Sequence, residues 1–300
     1  MIDSAGSRPW GAALFPALFV LLWSTGFIAA KFGLPYAPPL TFLLYRFLLV
    51  ALLMLAVALA TRAPWPRTPS DYAHVAIAAL LVHGLYLGGV FMALDGGMPA
   101  GTSAMLVGLQ PILTVFLAWM WLHERVVPRQ WMGLGLGLAG VYLVIRHKID
   151  FTGGRNGLLP SAIALIGISV GALYQKRHAS HIDLRTGAVI QFAACALVYA
   201  PFALLLDARP VHWVPAFLFA LGWSVVVLSV GAISLLYWLL RHGAASGVAR
   251  LFYLVPMVTA VESWLLFGET LDALAIAGMV FIAVGVILAR PRAFAMSDQS

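Results

Sequence analysis

Ten runs of predominantly apolar residues, each near the length needed to cross a bilayer, dominate this sequence. They fall at roughly 10–31, 40–60, 72–94, 99–122, 129–146, 156–176, 186–206, 214–240, 244–267 and 271–289. About 20 such residues, rising about 1.5 Å each in a helix, cross roughly 30 Å of hydrocarbon. The gaps are short, the longest running from Thr61 to Asp71 with Pro64, Pro66 and Pro69 inside it. Little chain remains for a soluble domain, so whatever this molecule does is done within the membrane. Composition agrees: 62% of residues are hydrophobic and 10% charged, with mean hydropathy +0.96, against about 45–50% and about 25% in soluble proteins. The first run is too long for a signal-peptide core and no A-x-A cleavage site follows it, so it reads as a permanent span.

The net charge of +7 does not point to nucleic acid, because the basic residues sit in the short gaps and act as topology signals. With a cytoplasmic N-terminus, the inner gaps hold Arg8, Arg62, Arg67, Arg125, Arg129, Lys176, Arg177, Arg185, Arg241, Arg290 and Arg292. The outer gaps hold Lys31, Arg146, Lys148, Arg155 and Arg209. This balance predicts both termini in the cytoplasm and a multi-pass protein of a bacterial inner membrane, although the cluster from Arg146 to Arg155 runs against it. Cys195 lies alone in an apolar run, which leaves no disulfide framework and no CxxC zinc site. No cofactor or metal is expected.

A shift of 145 residues brings the two halves into register without a gap. Pro111, Thr114, Trp119 and Glu124 then meet Pro256, Thr259, Trp264 and Glu269, and Gly133 and Gly140 meet Gly278 and Gly285. Ser24, Lys31 and Thr41 meet Ser169, Lys176 and Thr186. Matches among leucines and alanines carry little weight in such a composition, but matched Pro, Trp and Glu at one offset carry much. The expected units are residues 1–148 and 149–300, each of five spans. An odd number of spans forces the second unit to enter the membrane upside down. Inverted repeats of this kind are a construction of secondary transporters, whose halves exchange conformations around a central site. The predicted fold is therefore an all-α polytopic bundle of ten transmembrane helices in two inverted five-helix repeats.

Several residues stand out against the apolar background. Pro111 and Pro256 lie mid-span at equivalent positions, where proline removes a donor and bends a helix; either a matched pair of bends along a path or simple packing kinks would explain them. Glu124 and Glu269 end spans four and nine and are expected to fix turns, by capping or by pairing with a base. Ionisable groups inside spans are costly. Arg46 and Glu262 both fall in the outer half under this topology, roughly 7–10 Å deep, which suggests either a gate pair or two snorkelling side chains. His83 with Tyr86, and Arg250 with Tyr253, share helix faces by i, i+3 spacing; Tyr237, Trp23 and Ser24 add polar tips to aromatic faces. Such a set suits an amphipathic organic ligand, with Arg250 able to meet a carboxylate and His83 able to carry a proton. For any single aromatic, packing is the simpler explanation. Gly135-Leu-Gly-Leu-Ala-Gly140 matches a dinucleotide fingerprint in letters only, since it lies in an apolar helix and reads as a small-residue packing face.

The doubled segments Pro111…Trp119…Leu122-His123-Glu124…Gly133…Gly140-Val141 and Pro256…Trp264…Phe267-Gly268-Glu269…Gly278…Gly285-Val286 resemble the twin repeats of the drug/metabolite transporter superfamily, EamA type. Trp23-Ser24-Thr25-Gly26-Phe27 and Tyr45-Arg46-Phe47 are similar to that family's span-one and span-two elements. The resemblance implies ten helices, cytoplasmic termini and export of small metabolites by alternating access, with amino acids, including aromatic ones, the favoured cargo. Nucleosides, sugars and drugs are the alternatives within the superfamily. An intramembrane lipid-modifying enzyme is the alternative of another class, and no GxSxG or HExxH pattern supports it. The expected cavity is lined by spans one, three, four, six, eight and nine, with Trp23, Ser24, His83, Tyr86, Tyr237, Arg250 and Tyr253 binding substrate. The expected partners are a small-molecule substrate and the lipid bilayer, with no nucleic acid; a monomer is compatible with this organisation. Ile168 stands where a second tryptophan would match Trp23, so the halves are not expected to contact substrate equivalently.

Overall fold

The computed structural model describes residues 9–122, 127–145, 155–233, 235, 238–239, 251–252, 254–269 and 272–288. They form helices α1 (Pro9–Gly33), α2 (Pro39–Ala60), α3 (Pro69–Asp95), α4 (Ala100–Val107), α5 (Gln110–Leu122) and α6 (Pro128–Ile145) in the first half. The second half forms α7 (Arg155–His178), α8 (Leu184–Leu206), α9 (Pro215–Ala232), α10 (Val255–Phe267) and α11 (Ala273–Leu288). No strand occurs among the described residues. Proline opens α2, α3, α9 and α10, at the first turn where its missing N–H costs nothing. Thr68 caps α3 by accepting from the Asp71 amide, and Asp183 caps α8 by accepting from Arg185 N at 2.9 Å. The Arg185 guanidinium also donates to Asp183, and these bonds hold the Asp183 carboxyl below its usual range.

Seven of the described helical segments are long and apolar enough to cross a membrane, and α10 and residues 276–288 are shorter apolar helices. The outward faces are themselves apolar: Leu197, Leu204 and Leu205 are about four-fifths exposed, and the repeat-matched Trp119 and Trp264 also face outward. Such surfaces suit hydrocarbon, not water. This is a multi-pass membrane bundle.

The inverted symmetry is visible in reciprocal contacts. Helix α6 packs against α11. A Cβ on Gly140 would lie 2.6 Å from the carbonyl oxygen of Gly278, and a Cβ on Gly285 would lie 2.6 Å from that of Gly133. Position 140 corresponds to 285 and 133 to 278, so each contact is the other's image, with the two helices antiparallel. The pair α2 and α8 repeats the pattern. Thr41, at the start of α2, donates from N and Oγ1 to Asp207, just past the end of α8, at 2.6 and 2.7 Å. Its counterpart Thr186, at the start of α8, donates to Pro64 O just past α2 at 2.8 Å.

Span four departs from the expected bent helix. It is two helices, α4 and α5, with a turn at Gly108 and Leu109, and Pro111 sits in the first turn of α5. The proline ring excludes a helical carbonyl four residues back, and breaking the helix removes that clash. Span nine breaks at the same place: Leu109 N donates to Leu106 O at 3.2 Å, and its image Leu254 N donates to Leu251 O at 3.0 Å. Pro256 accordingly opens α10. The matched prolines mark helix starts after a break, not bends in continuous helices.

Helices α3 and α9 each carry a π-helical stretch, Leu80–Leu85 and Trp223–Ala232. The shift of 145 superposes the first on the second. Widened turns leave carbonyls off the helical ladder, and side chains meet them. Tyr199 donates to Gly84 O at 2.8 Å, and Ser229 donates to Ser224 O at 3.0 Å. π-Helical turns recur at functional sites.

Candidate functional site

Between α1, α2 and α3 of one half and α7, α8 and α9 of the other lies a cavity of about 130 Å³. Trp23 and Phe27 reach it from α1, Arg46 from α2, and Val82, His83, Tyr86, Val90 and Phe91 from α3. Ile168, Phe192, Leu228 and Ser229 complete the wall, with Ile233 beyond α9. Equivalent positions of the two halves line it in pairs: Trp23 and Ile168, His83 and Leu228, Leu87 and Ala232. The cavity therefore sits on the pseudo-two-fold axis, bounded on opposite sides by the two π-helical stretches.

The polar groups of the wall are held by the same symmetry. Arg46 is 7% exposed; its Nη2 lies 3.5 Å from Ser229 Oγ, and its buried Nε has no partner. The repeat image of Arg46 is Gln191, whose Oε1 lies 3.2 Å from His83 Nε2. Thus span two reaches the π-helical stretch of α9, and span seven reaches that of α3. His83 is stacked on Phe192, ring centroids 4.6 Å apart, which fixes the imidazole plane against the wall. Trp23 is locked edge-on against Phe252 at 5.1 Å.

Of the expected binding residues, Trp23, His83 and Tyr86 come together here. Ser24 does not: it is fully buried on another face of α1, its Oγ 2.8 Å from Glu262 Oε1. Tyr237, Arg250 and Tyr253, and Glu124 with them, lie outside the described residues. The expected pairing of Arg46 with Glu262 is not made. Arg46 turns to the cavity and Ser229, whereas Glu262 turns to Ser24 and leaves Oε2 buried without a partner. Similar depth in the membrane allows a pair, but depth does not specify the side of a helix. Among the described residues, spans two and seven line the cavity and the expected four and nine do not, α4 and α10 packing against each other. Gly101 abuts Ala260, and Gly108 abuts Pro256, around a separate cleft of about 20 Å³.

Glu269 occupies a polar end cluster. It pairs with Lys31, accepts from Ser263, and accepts from Ala100 N at 3.3 Å, so it caps α4 and ties the ends of α1 and α10 to its start. Arg46 and Ser229 are cavity-lining side chains that motif reading alone does not place there. The signal available was the polar match Arg46–Gln191 under the repeat shift.

An all-helical membrane bundle with inverted halves and a cavity on the axis between them defines a membrane transporter. The chain belongs to the EamA-like transporter family, whose model matches residues 10–146 and again 155–290, placing it in the drug/metabolite transporter superfamily. It is 29% identical to the "Uncharacterized transporter YvbV" of Bacillus subtilis (strain 168), over 92% of this chain and 90% of that protein. It is 26% identical to a protein named "Probable amino-acid metabolite efflux pump" in Salmonella typhimurium, over 90% and 92% of the two chains. A "Probable terminal-alkyne amino-acid exporter" of Streptantibioticus cattleyicolor is 29% identical, over 92% of each chain. A solved structure titled "Crystal structure of protein" shares the fold, with TM-score 0.61 at 22% identity over 94% of this chain and 97% of that one.

Proposed function

We propose that this chain is a secondary transporter that exports small amphipathic metabolites, amino acids and their derivatives foremost, by alternating access of two inverted units, residues 1–148 and 149–300. The observation that carries this reading is the position of the cavity. A site on the axis, walled by equivalent positions of both halves, meets the same set of helices when the halves exchange conformations. Its size favours small cargo. A volume of about 130 Å³ is near that of an engineered cavity of about 150 Å³ that takes benzene, enough for an amino-acid side chain. The named efflux pump and exporter among the relatives support the same class. Trp23 and Tyr86 hold the apolar body, His83 and Ser229 offer hydrogen bonds, and the protein sits in a bacterial inner membrane with both termini in the cytoplasm.

The test is efflux from proteoliposomes loaded with a panel of labelled amino acids, with Tyr86→Ala and Trp23→Ala as variants. Release by the wild type that both variants lose supports class and site together. Release that persists in both keeps the class and discards the site. If no amino acid is released, a second panel of nucleosides, sugars and cations is loaded, and release of one of these replaces the cargo.

A further inference from the structure

The charge of the cavity narrows the cargo further, on the strength of the transporter reading above. Arg46 brings a full positive charge into a site otherwise walled by aromatic and aliphatic side chains and the uncharged polar tips of His83, Tyr86 and Ser229. Its side-chain hydrogen bond to Ser229 is at the distance limit, and its Nε is buried with no acceptor. A buried charge in this state is costly unless a counter-charge joins it.

No carboxylate lines the cavity among the described residues. The described acids have partners elsewhere: Asp71 with His181, Asp95 with Arg209, Asp183 with Arg185, Asp207 with Thr41, Glu262 with Ser24 and Glu269 with Lys31. Asp272 lies past the end of α10, at the start of α11. The chain has no acidic residue between Asp207 and Glu262. Residues 234–253, which include Arg241 and Arg250, therefore cannot add one. Among the described residues no acid supplies the counter-charge, and the cargo can.

We infer that the preferred cargo is an organic monoanion, a carboxylate on a small branched or aromatic body with no ammonium group, whose carboxylate pairs with the Arg46 guanidinium. This is the chemical class produced when an amino acid is deaminated or N-acylated. A guanidinium can bond a carboxylate through two parallel N–H donors, and the bound complex is then neutral. A zwitterion satisfies Arg46 equally but leaves its ammonium facing a wall without an acid, and a cation adds to the charge already there. The transport cycle also carries the cargo's own charge, so an inside-negative potential drives the anion outward and leaves a zwitterion indifferent.

The experiment uses the full chain and three probes with one body: 4-methyl-2-oxopentanoate, leucine and leucinamide. Affinity is measured on the solubilised protein by titration against intrinsic tryptophan fluorescence, and efflux from proteoliposomes is measured with protein-free vesicles as background. The oxo acid is expected to bind at least about tenfold tighter than leucine, with leucinamide weakest. Arg46→Gln should abolish that preference, and an inside-negative diffusion potential should speed loss of the oxo acid only. Leucine bound as tightly as the oxo acid, or no binding of any of the three, overturns the inference. If Arg46→Gln does not fold, the wild-type ranking still decides. The two readings fail separately: leucine efflux with the wrong ranking keeps the transporter and discards the anion preference. The right ranking with no efflux of any compound does the reverse.

Discussion

The reciprocal glycines of α6 and α11 allow a sharp test of the inverted packing. A Cβ added at Gly140 would lie 2.6 Å from Gly278 O and 2.8 Å from both Ile282 N and Cγ1. Ordinary contact begins at 3.4 Å, so the helices must part by about 0.8 Å at the closest point. Two of the three obstructing atoms are backbone and cannot swing aside. Overpacking of this kind costs about 1–3 kcal/mol, partly offset by a gain of about 1 kcal/mol from replacing a mid-helix glycine with alanine. Gly135 isolates the packing term, because it lies on the same helix with nothing within 4 Å of its added Cβ. Gly140→Ala should therefore be less stable than Gly135→Ala by the whole overpacking cost, about 1–3 kcal/mol, since the propensity gain is common to both. Gly285→Ala should fall alongside Gly140→Ala, with Gly133 O and Gly137 N at 2.6 and 2.7 Å from its Cβ. The double variant should lose less than the sum, because one outward shift of α11 relieves both clashes. Thermal unfolding followed by tryptophan fluorescence measures this, at about 2–4 °C per kcal/mol for a chain of this order. Equal midpoints for Gly140→Ala and Gly135→Ala would refute the reciprocal contact.

Three further outcomes follow from other parts of the bundle. Tyr199→Phe leaves the Gly84 carbonyl in the π-helical stretch of α3 without its donor, an expected loss of about 1–3 kcal/mol; an unchanged unfolding midpoint would show that the widened turn does not depend on it. Glu269→Gln keeps an acceptor for Ala100 N but removes the charge facing Lys31, whose side chain is 29% exposed. The expected loss is no more than about 1 kcal/mol and smaller still in high salt, so a larger, salt-independent loss would mean that the pair acts as a buried ion pair and not as a partly exposed one. In a Cys195→Ala background, Arg67→Cys should be labelled by a membrane-impermeant maleimide only from the cytoplasmic side, and Arg209→Cys only from the outside. Labelling of both from one side would rule out the inverted insertion.

The parts of this fold that were legible in the sequence are those set by local chemistry. Spans follow from run length, because an apolar run has no other stable home, and the doubled organisation follows from Pro, Trp and Glu recurring at one offset. The break at Gly108 and Leu109 was half-legible: proline marks the place, but whether a helix bends or breaks there depends on what packs against it, and here Pro256 crosses Gly108. The π-helical stretches carry no composition signal at all. Orientation about the helix axis was hardest, and for a physical reason. In water, a helix advertises its buried face by the contrast between apolar and polar sides; in a bilayer both sides are apolar, and the contrast vanishes. Depth therefore allows Arg46 either to pair with Glu262 or to snorkel, and it is the helix side that sets it against Ser229. Symmetry supplies what amphipathicity cannot, though only in part. Ser24 and Ser169 are matched and polar, yet both point into helix contacts. Arg46 and Gln191 are matched and polar too, and they reach the two stretches that bound the cavity. The difference is cost. A serine satisfies itself on its own helix, as Ser169 does on Leu165 O, whereas a guanidinium or a carboxamide is too large to do so. In such a chain, the large polar residues that recur at one depth in both halves are those most bound to face the axis, because only there do they find partners.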